Sequence, residues 1–261
     1  MKILVIGKGW LGTLIAQYLG ADLSSSRLND ISVAEAKKYD LIINAAAKTN
    51  IDWCEKNHDA TIASNITEAV ALAKVCKEAG VRCVFISSAC IFNSTDEHDI
   101  KYEDSVPNPL CFYAETKAES ERHQLAVNPN IVIIRIRVPL SETPHPRNTI
   151  TKILGYKKLV NTRESVTVIE DMLPALQNIV EGKDTGVFHL INEGTTSMPE
   201  IVTAFGDRTF EVIDRDEFQK MIKEADKATR VSTVAGSRRT PYLPPISKRI
   251  PHIVAKYKSK L

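Results

Sequence analysis

A glycine-rich turn at the start of the chain constrains the fold more than any other feature of the sequence. The β-branched run Lys2–Ile6 leads directly into this turn, and Leu11–Leu19 then has the apolar spacing of a helix. A G-x-G-x-x-G sequence between strand and helix is typical of dinucleotide binding, because glycine lets backbone approach a pyrophosphate at the helix N-terminus. We therefore predict a cofactor cradle at Gly7, Gly9, Trp10, Leu11 and Gly12.

Strand and helix patterns alternate through the first half of the chain. Strands are predicted at Leu41–Asn44, Arg82–Ser87 and Ile131–Ile136, and long helices at Ala60–Ala79 and Tyr113–Val127. The strands are nearly unbroken apolar runs, which is typical of parallel strands buried on both faces. This order predicts an α/β fold with a Rossmann-type doubly wound parallel sheet.

The pattern changes after Pro139, where the predicted elements become shorter. A helix is expected near Asp171–Glu181, a strand near Val187–Ile191 and a helix from Pro199, while prolines between 241 and 251 are predicted to break up the C-terminus. We predict a cofactor-binding domain over residues 1–138. Residues 139–261 would form a smaller C-terminal substrate lobe that returns a strand or helix to the sheet.

The composition argues against several classes of protein. The 261 residues are 43% hydrophobic and 25% charged, with a net charge of +2. No run approaches the roughly 18 apolar residues of a membrane span. The five cysteines are an odd number and lack the spacing of metal ligands. We expect a cytoplasmic protein with reduced thiols, no bound metal, and neither nucleic acid nor membrane as a partner.

The charge is distributed unevenly along the chain. Between Lys227 and Leu261 there are nine lysines or arginines and no acidic residue. One interpretation is a solvated basic surface. The other is that part of this segment faces an anionic ligand such as a nucleotide diphosphate.

A serine-rich segment after the first helix favours NADP(H) over NAD. In this region NAD enzymes usually have an acidic residue that binds the ribose hydroxyls, whereas this chain has Ser24-Ser25-Ser26-Arg27. A carboxylate would repel a 2′-phosphate, but hydroxyls and a guanidinium would bind it. We therefore predict that Ser25 and Arg27 contact the 2′-phosphate of NADP(H).

A tyrosine and a lysine four residues apart indicate a catalytic pair. Tyr113 and Lys117 share one face of a predicted helix, and a nearby cation favours the phenolate, so the pair could exchange a proton near neutral pH. Ser88 follows the predicted strand that ends at Ser87. The alternative is a surface tyrosine and lysine on an ordinary helix.

Together these residues resemble the Ser–Tyr–Lys triad of short-chain dehydrogenases. The run Asn44-Ala45-Ala46-Ala47 is similar to the segment of that family beside the adenosine half of the cofactor. The resemblance narrows to the nucleotide-rhamnose synthases, which are epimerase-reductases within the dTDP-4-dehydrorhamnose reductase-like family. It rests on NAAAKTNIDWCE (44–55), SSACIF (87–92), RIRVP (135–139) and PRNTITK (146–152). Residues 235–243 match that family only loosely.

This resemblance implies an epimerisation in addition to a reduction. In the family, a cysteine two residues past the catalytic serine serves epimerisation, and Cys90 holds that place. The family's lysine falls on Lys152, with His145 as the other candidate partner. The hydrogens at C3 and C5 flank the C4 ketone, so each can be removed as an enolate forms. A buried core thiol and a solvated lysine are the alternatives.

The resemblance further implies a UDP- or dTDP-linked 4-keto-6-deoxyglucose as substrate. NADPH would deliver hydride to C4, Tyr113 would protonate the oxygen and Ser88 would hydrogen-bond it. Lys117 would hold the nicotinamide ribose and lower the pKa of Tyr113. Asn148 and Arg238 are expected to contact the substrate, with Arg238 or Arg239 at the diphosphate.

Two other functions stay open at this point. One is a 4-reductase without epimerase activity, and the other is a non-catalytic NADP-binding regulatory subunit. The nucleotide-diphosphate sugar is the expected small-molecule partner, and a homodimer is the assembly we expect.

Overall fold

The computed structural model describes residues 1–206, 208–240 and 243–261. Pro241 and part of the loosely matched region 235–243 therefore lie outside the described residues. The strands are β1 (Ile3–Ile6), β2 (Asp22–Ser24), β3 (Leu41–Asn44), β4 (Arg82–Ser88), β5 (Val132–Ile136), β6 (Pro139–Leu140), β7 (Lys158–Val160), β8 (Thr167–Val168), β9 (Gly186–His189) and β10 (Glu211–Ile213).

Helices connect most of these strands. They are α1 (Trp10–Leu19), α2 (Val33–Ala36), α3 (Ile51–Lys56), α4 (His58–Ile62), α5 (Glu68–Ala79), α6 (Phe112–Val127), α7 (Thr149–Ile153), α8 (Ile169–Glu181), α9 (Met198–Ala204), α10 (Arg215–Glu224) and α11 (Ile246–Lys258). Among the described helices, none combines the length and apolar character that crossing a bilayer requires.

Six parallel strands form the main sheet in the order β2-β1-β3-β4-β5-β9. This confirms the predicted doubly wound α/β fold. Strand β2 pairs with one side of β1, and β3 pairs with the other side. The carboxyl ends of β1 and β3 therefore form the topological switch point, where such sheets bind ligands. The carboxyl ends of β1, β3, β4 and β5 all meet at that edge.

Helices cover both faces of the sheet, as its unbroken apolar strands require. Alternate strand residues point to opposite faces. Val5, Ile43 and Val84 belong to one buried core that includes residues of α1 and α8. A second buried core on the other face contains Leu4 and Ile42 together with residues of α5.

A π-helical turn interrupts the long helix predicted at Ala60–Ala79. It spans Ala63–Thr67, between α4 and α5, and buries Asn65. The Asn65 amide accepts a hydrogen bond from the Lys48 N–H (2.8 Å) and donates one to the Lys48 carbonyl (3.0 Å). Such single turns often mark functional sites. Here the turn fixes the segment that follows β3 against the helix layer.

A separate hydrophobic core lies among the elements after Pro139. It contains residues of α7, α9 and α11, and its largest fully buried side chain is Tyr257. Elements after Pro139 also contribute to the main sheet, since β9 pairs with β5 and α8 packs on the sheet core. We keep the boundary at 138/139 as a proposal.

The C-terminus departs from the prediction that prolines would break it up. Helix α11 runs through Pro251. Proline inside a helix removes one backbone hydrogen bond. The buried face formed by Ile246, Ile253 and Val254 offsets this loss, because tertiary packing supplies most of a helix's stability.

A buried ion pair attaches the catalytic helix candidate α6 to the sheet. Arg135 on β5 and Glu121 on α6 are 2.7 Å apart, and the Ser87 hydroxyl also donates to Glu121. Arg135 lies 3.2 Å from the His189 ring on β9. Burial, together with the Arg135 charge, lowers the pKa of His189 to about 4, so this imidazole is neutral near neutral pH. The network holds α6 against the sheet at Glu121, which is one helical turn after Lys117.

Candidate active site

The turn after β1 accepts only glycine at two positions. Gly7 has a φ of +114°, and a Cβ there would lie 2.7 Å from the Ala46 nitrogen. A Cβ on Gly12 would lie 2.0 Å from the Gly7 carbonyl oxygen. These contacts hold the turn, α1 and the segment after β3 together at the switch point.

The N-terminus of α1 is open at this turn. Gly9 is the N-cap, no side chain caps it, and no acidic residue stands in the first helical turn. A Cβ on Gly9 would meet nothing within 4 Å. Free N–H groups, a helix dipole and open space suit an anionic diphosphate. The residues at this turn therefore fit a dinucleotide.

The predicted segment 44–47 forms the neighbouring wall. The buried Asn44 side chain accepts a hydrogen bond from the Ala46 N–H (2.9 Å), and the Ala45 N–H donates to the Ile6 carbonyl (2.9 Å). Asn44, Ala46 and Ala47 also line a small polar recess that reaches Lys117. The segment thus lies between the glycine turn and the catalytic candidates.

An open cleft of about 450 Å³ lies beyond the end of β2. Ser24, Ser25 and Ser26 line it, and the exposed Arg27 follows them. Lys8 of the glycine turn also lines the cleft, which sequence reasoning had missed although it stands inside the motif. Hydroxyls and the Lys8 ammonium are suited to a phosphate on the cofactor ribose, and Arg27 follows Ser26 in the chain, although it is not among the lining residues. Asp22 and Asp30 line the same cleft, and Asp30 accepts the Arg27 N–H.

Ser88, Tyr113 and Lys117 come together at the carboxyl end of β4. Ser88 is the last residue of β4, and its hydroxyl accepts a hydrogen bond from the Cys90 N–H (3.2 Å). Tyr113 and Lys117 lie one turn apart on α6 and are both buried. The Lys117 ammonium donates to the Ile86 carbonyl of β4 (3.2 Å). The predicted catalytic constellation is therefore geometrically present.

The expectation that Lys117 lowers the pKa of Tyr113 is wrong in this structure. Burial raises the pKa of Tyr113 well above its ordinary value, and the neighbouring thiols of Cys90 and Cys54 add to the rise. Burial also lowers the pKa of Lys117. Desolvation disfavours the charged form of each of these two groups. Tyr113 is therefore a neutral phenol, which is the form that donates a proton.

Three buried cysteines surround Tyr113. Cys54 of α3, Cys90 and Cys111 share one cluster with Tyr113, and all five cysteines of the chain are free thiols. Burial raises the pKa of Cys90 to about 11, although Ser88, Arg137 and Lys117 act against the rise. The predicted epimerisation thiol therefore lies beside the predicted proton donor, but it is protonated in the resting protein.

A cavity of about 390 Å³ adjoins this cluster, and we call it the basic cavity. Ile51 and Val231 belong to both its lining and the periphery of the cysteine–tyrosine cluster. The lining includes an aromatic pair, Tyr156 and Phe218. It also includes five cations and one carboxylate, which are Arg137, Lys158, Arg215, Lys227, Arg230 and Glu164. A cavity of this composition attracts an anionic ligand.

Arg230 is held at the basic cavity by a helix of the first half of the chain. Its guanidinium donates to both carboxylate oxygens of Asp52 on α3, each at 2.8 Å. Asp52 also accepts the Ala228 N–H at 3.1 Å. Both contacts come from the same Nη2 atom, while Nη1 donates to the Ala228 carbonyl, so the guanidinium is held at two of its nitrogens. Part of the basic segment that begins at Lys227 thus lines the cavity, and its contact with an anionic ligand stays a prediction.

Neither Arg238 nor Arg239 lines the basic cavity. Arg238 pairs with Asp104 (3.1 Å) and stacks over the Tyr102 ring (4.0 Å). Arg239 donates to the Val187 carbonyl (3.1 Å) on β9 and covers the Phe188 ring. Both guanidinium groups are engaged outside this cavity, and a contact of either one with the substrate diphosphate stays a prediction.

Asn148 has no polar atom left for a substrate. It is the N-cap of α7 and is fully buried. Its amide oxygen accepts from the N–H groups of Ser141 and Ile150, and its nitrogen donates to the carbonyls of Ser141 and Thr143. The predicted substrate contact is therefore a loop-fixing residue in this structure.

The two expected partners of Cys90 lie elsewhere. Lys152 is exposed on α7 and does not line the basic cavity. His145 stacks on Trp10 with ring centroids 5.2 Å apart and an interplanar angle of 7°. Its Nδ1 accepts the Arg147 N–H. Their roles in epimerisation stay predictions, whereas Arg137 is the cavity cation whose charge acts on Cys90.

Comparison with known proteins places this geometry in a family. The family model described as the RmlD substrate binding domain matches residues 1–232. A bifunctional dTDP-4-dehydrorhamnose 3,5-epimerase/dTDP-4-dehydrorhamnose reductase from Arabidopsis thaliana is 33% identical over 227 residues, or 79% of this chain and 75% of that protein. The trifunctional UDP-rhamnose enzyme RHM1 of that plant is also 33% identical, but this chain spans only 34% of its length.

A solved structure has the same fold along nearly the whole chain. The L780 UDP-rhamnose synthase from Acanthamoeba polyphaga mimivirus superimposes with a TM-score of 0.88 at 23% identity, covering 98% of this chain and 99% of that one. The family model covers most of the chain, and a relative is 33% identical across 79% of it. The protein therefore belongs to the RmlD substrate binding domain family.

Proposed function

We propose that this protein uses NADPH to reduce the C4 ketone of a nucleotide-linked 4-keto-6-deoxyhexose, and that it epimerises C3 and C5 before the reduction. One observation carries the proposal. Tyr113 and Cys90 lie in one buried cluster, the Cys90 N–H donates to the Ser88 hydroxyl, and Ile51 and Val231 connect this cluster to the basic cavity. Two relatives are named as epimerases and reductases of rhamnose synthesis, and they support this choice of substrate.

The basic cavity suits the nucleotide diphosphate. Its volume of about 390 Å³ is in the usual range for small-molecule sites. Arg215, Lys227 and Arg230 would bind the phosphates, since arginine forks match phosphate oxygens. Tyr156 and Phe218 provide flat apolar surfaces for the base. The sugar would then extend towards Ile51 and the cysteine–tyrosine cluster.

Each residue of the proposed site has its own role in the reaction. When bound, NADPH supplies the hydride that reduces C4. The Tyr113 phenol donates its proton to the C4 oxygen, and the Ser88 hydroxyl hydrogen-bonds that oxygen as its charge develops. Cys90 moves the protons at C3 and C5 while the ketone is intact. Gly9 and the N-terminus of α1 would hold the cofactor diphosphate, and Lys117 its nicotinamide ribose.

A reductase without epimerase activity is the second candidate. The exposed position of Lys152 favours it, because inversion requires groups that act on both faces of the sugar ring. A single incubation separates the two candidates. The protein is supplied with UDP- or dTDP-4-keto-6-deoxyglucose and NADPH, and the stereochemistry of the product is read by NMR. Inversion at C3 and C5 supports the bifunctional enzyme, and a product changed only at C4 contradicts it.

The cleft beyond β2 gives a prediction about cofactor preference. We expect kcat/KM to be higher with NADPH than with NADH. Replacing Lys8 or Arg27 by alanine should lower kcat/KM with NADPH by about 10- to 100-fold and leave NADH little changed, because each cation would donate to the 2′-phosphate. Arg122, which pairs with Glu119 on α6, provides a matched control. Equal use of both cofactors by the wild type would contradict the assignment of this cleft.

Arg230 gives a prediction about the diphosphate. Arg230→Met should raise KM for the nucleotide-sugar by at least about tenfold, because a desolvated guanidinium–phosphate contact is lost. The dissociation constant for NADPH should not change. Arg238→Ala removes a similar charge from the same basic segment, but at a position outside the basic cavity, and should leave KM unchanged. The reverse ranking of these two variants would show that the basic cavity is not the nucleotide site.

A further inference from the structure

Cys90 is enclosed by groups that mostly disfavour its ionisation. The ionisable side chains that act on it or share its cluster are Cys54, Cys111, Tyr113, Lys117 and Arg137. The thiols and the phenol are neutral or, when ionised, repel a thiolate. Lys117 is a cation, but its ammonium donates to the Ile86 carbonyl. Arg137 also supplies positive charge and acts on Cys90 more strongly than Lys117 does, and it comes from a different element, the connection between β5 and β6.

The Arg137 backbone is fixed on both sides by one residue. Its N–H donates to the Thr167 hydroxyl (3.0 Å), and its carbonyl accepts the Thr167 N–H (2.6 Å). Its guanidinium donates to the Val231 carbonyl (2.9 Å) and forms an ion pair with Glu164. Val231 in turn packs against the cysteine–tyrosine cluster. The charge of Arg137 is therefore held in a defined place at the wall of the basic cavity.

Two features at Arg137 and its neighbour raise the free energy of the folded protein. The next residue, Val138, has a φ of +35°, a conformation that β-branched residues strongly disfavour. Within the described part of the chain, the buried Arg137 Nε has no hydrogen-bond partner. Both Arg137 and Val138 line the basic cavity. Strained backbone and unpaired donors of this kind concentrate at functional sites.

We propose that Arg137 is a positioning residue for epimerisation, a fixed cation at the cavity wall that stabilises the thiolate of Cys90. The proposal rests on the epimerase activity proposed above. It gives Arg137 a role different from that of Lys152, which the sequence resemblance implies as the basic partner of Cys90. Glu164 opposes Arg137, because its carboxylate neutralises part of the guanidinium charge.

The proton transfers balance without an external oxidant or reductant. The Cys90 thiolate takes the proton from C5 or C3 and becomes a thiol, while the C–H electron pair forms an enolate with its charge on the C4 oxygen. Water on the opposite face of the ring returns a proton to the carbon. The hydroxide that remains takes the thiol proton and restores the thiolate. The thiolate that begins and ends each cycle is the minor form of Cys90 in the resting protein, and Arg137 lowers its free energy.

The experiment measures the reactivity of Cys90 without any substrate. The folded protein is treated with iodoacetamide at pH 8, and alkylation of Cys90 is followed by peptide mass spectrometry, with Cys111 in the same sample as the internal reference for access. Arg137→Met should slow alkylation of Cys90 by about tenfold or more, because a close opposite charge changes ionisation by at least that factor. Arg137→Lys should retain most of the reactivity. Glu164→Gln should accelerate alkylation.

Because Arg137→Met should slow the alkylation of Cys90 and Glu164→Gln should accelerate it, the two variants distinguish an electrostatic effect from damage to the fold. If Arg137→Met and Glu164→Gln both slow alkylation, or neither changes it, the proposal is overturned. The same variants are then compared for exchange of the C3 and C5 hydrogens with deuterated water, where Arg137→Met should be slowed at least about tenfold. Absence of exchange in the wild type would instead overturn the proposed epimerase activity, whatever the alkylation rates show.

Discussion

Replacing Tyr113 by phenylalanine is expected to lower the rate of keto-sugar reduction by about 10²- to 10⁴-fold, the usual contribution of a positioned general acid. The phenol is buried beside Ser88, and the substitution removes only its oxygen. NADPH affinity should change little, because the cofactor cradle is formed by the glycine turn and α1. The measurements are single-turnover reduction and the dissociation constant of NADPH. A loss of affinity equal to the loss of rate would mean that Tyr113 supports the fold rather than the reaction.

The pH dependence of the same step checks the protonation state of Tyr113. Burial raises the pKa of Tyr113 well above its ordinary value, so the acid form is lost only at a pH above that value. The single-turnover rate of reduction should therefore be flat through neutral pH and should fall only in strongly alkaline solution. A decrease centred near neutral pH would show that the bound cofactor and substrate lower the pKa enough to ionise the phenol there.

The parts of the site that could be predicted from sequence depend on short stretches of chain. The turn at Gly7–Gly12 has the predicted place between β1 and α1, since its geometry is dictated by neighbours a few residues away. Strand β3 has the predicted bounds, because Leu41–Ile43 are apolar and the whole strand, with Asn44 at its end, is buried. The pairing of Tyr113 with Lys117 follows from the period of a single helix.

Other parts depend on long-range packing and could not be read from local pattern. Arg230 and Arg238 belong to one basic segment, yet Arg230 meets Asp52, 178 residues away, and Arg238 meets Asp104. Spacing along the chain cannot tell which of them faces the cavity. The PRNTITK motif likewise predicted that Asn148 contacts the substrate. In the structure the side-chain amide of Asn148 donates to the carbonyls of Ser141 and Thr143 in its own loop. Ionisation was misjudged for a related reason, since burial is a property of the folded protein.

Replacing Cys90 by serine is the second change with a large expected effect. Serine keeps the size and polarity of cysteine, but its hydroxyl is a far weaker acid than a thiol whose pKa is about 11. Epimerisation should fall by at least about 10²-fold, the lower end of the contribution of an acid–base group. Reduction should persist, because Ser88 and Tyr113 are unchanged. The expected product from keto-sugar and NADPH is therefore an unepimerised, 4-reduced sugar.

Deuterated water separates the two reactions of this proposed site. The wild type should incorporate deuterium at C3 and C5, because each proton removed there is replaced from solvent, and Cys90→Ser should incorporate none while it still oxidises NADPH. Cys111→Ser is the matched control, since it removes a neighbouring buried thiol of the same cluster and should leave both reactions in place. If the wild type incorporates no deuterium but forms a 4-reduced sugar, the protein is a simple reductase. Cys90 then serves only as a buried core thiol next to the proton donor.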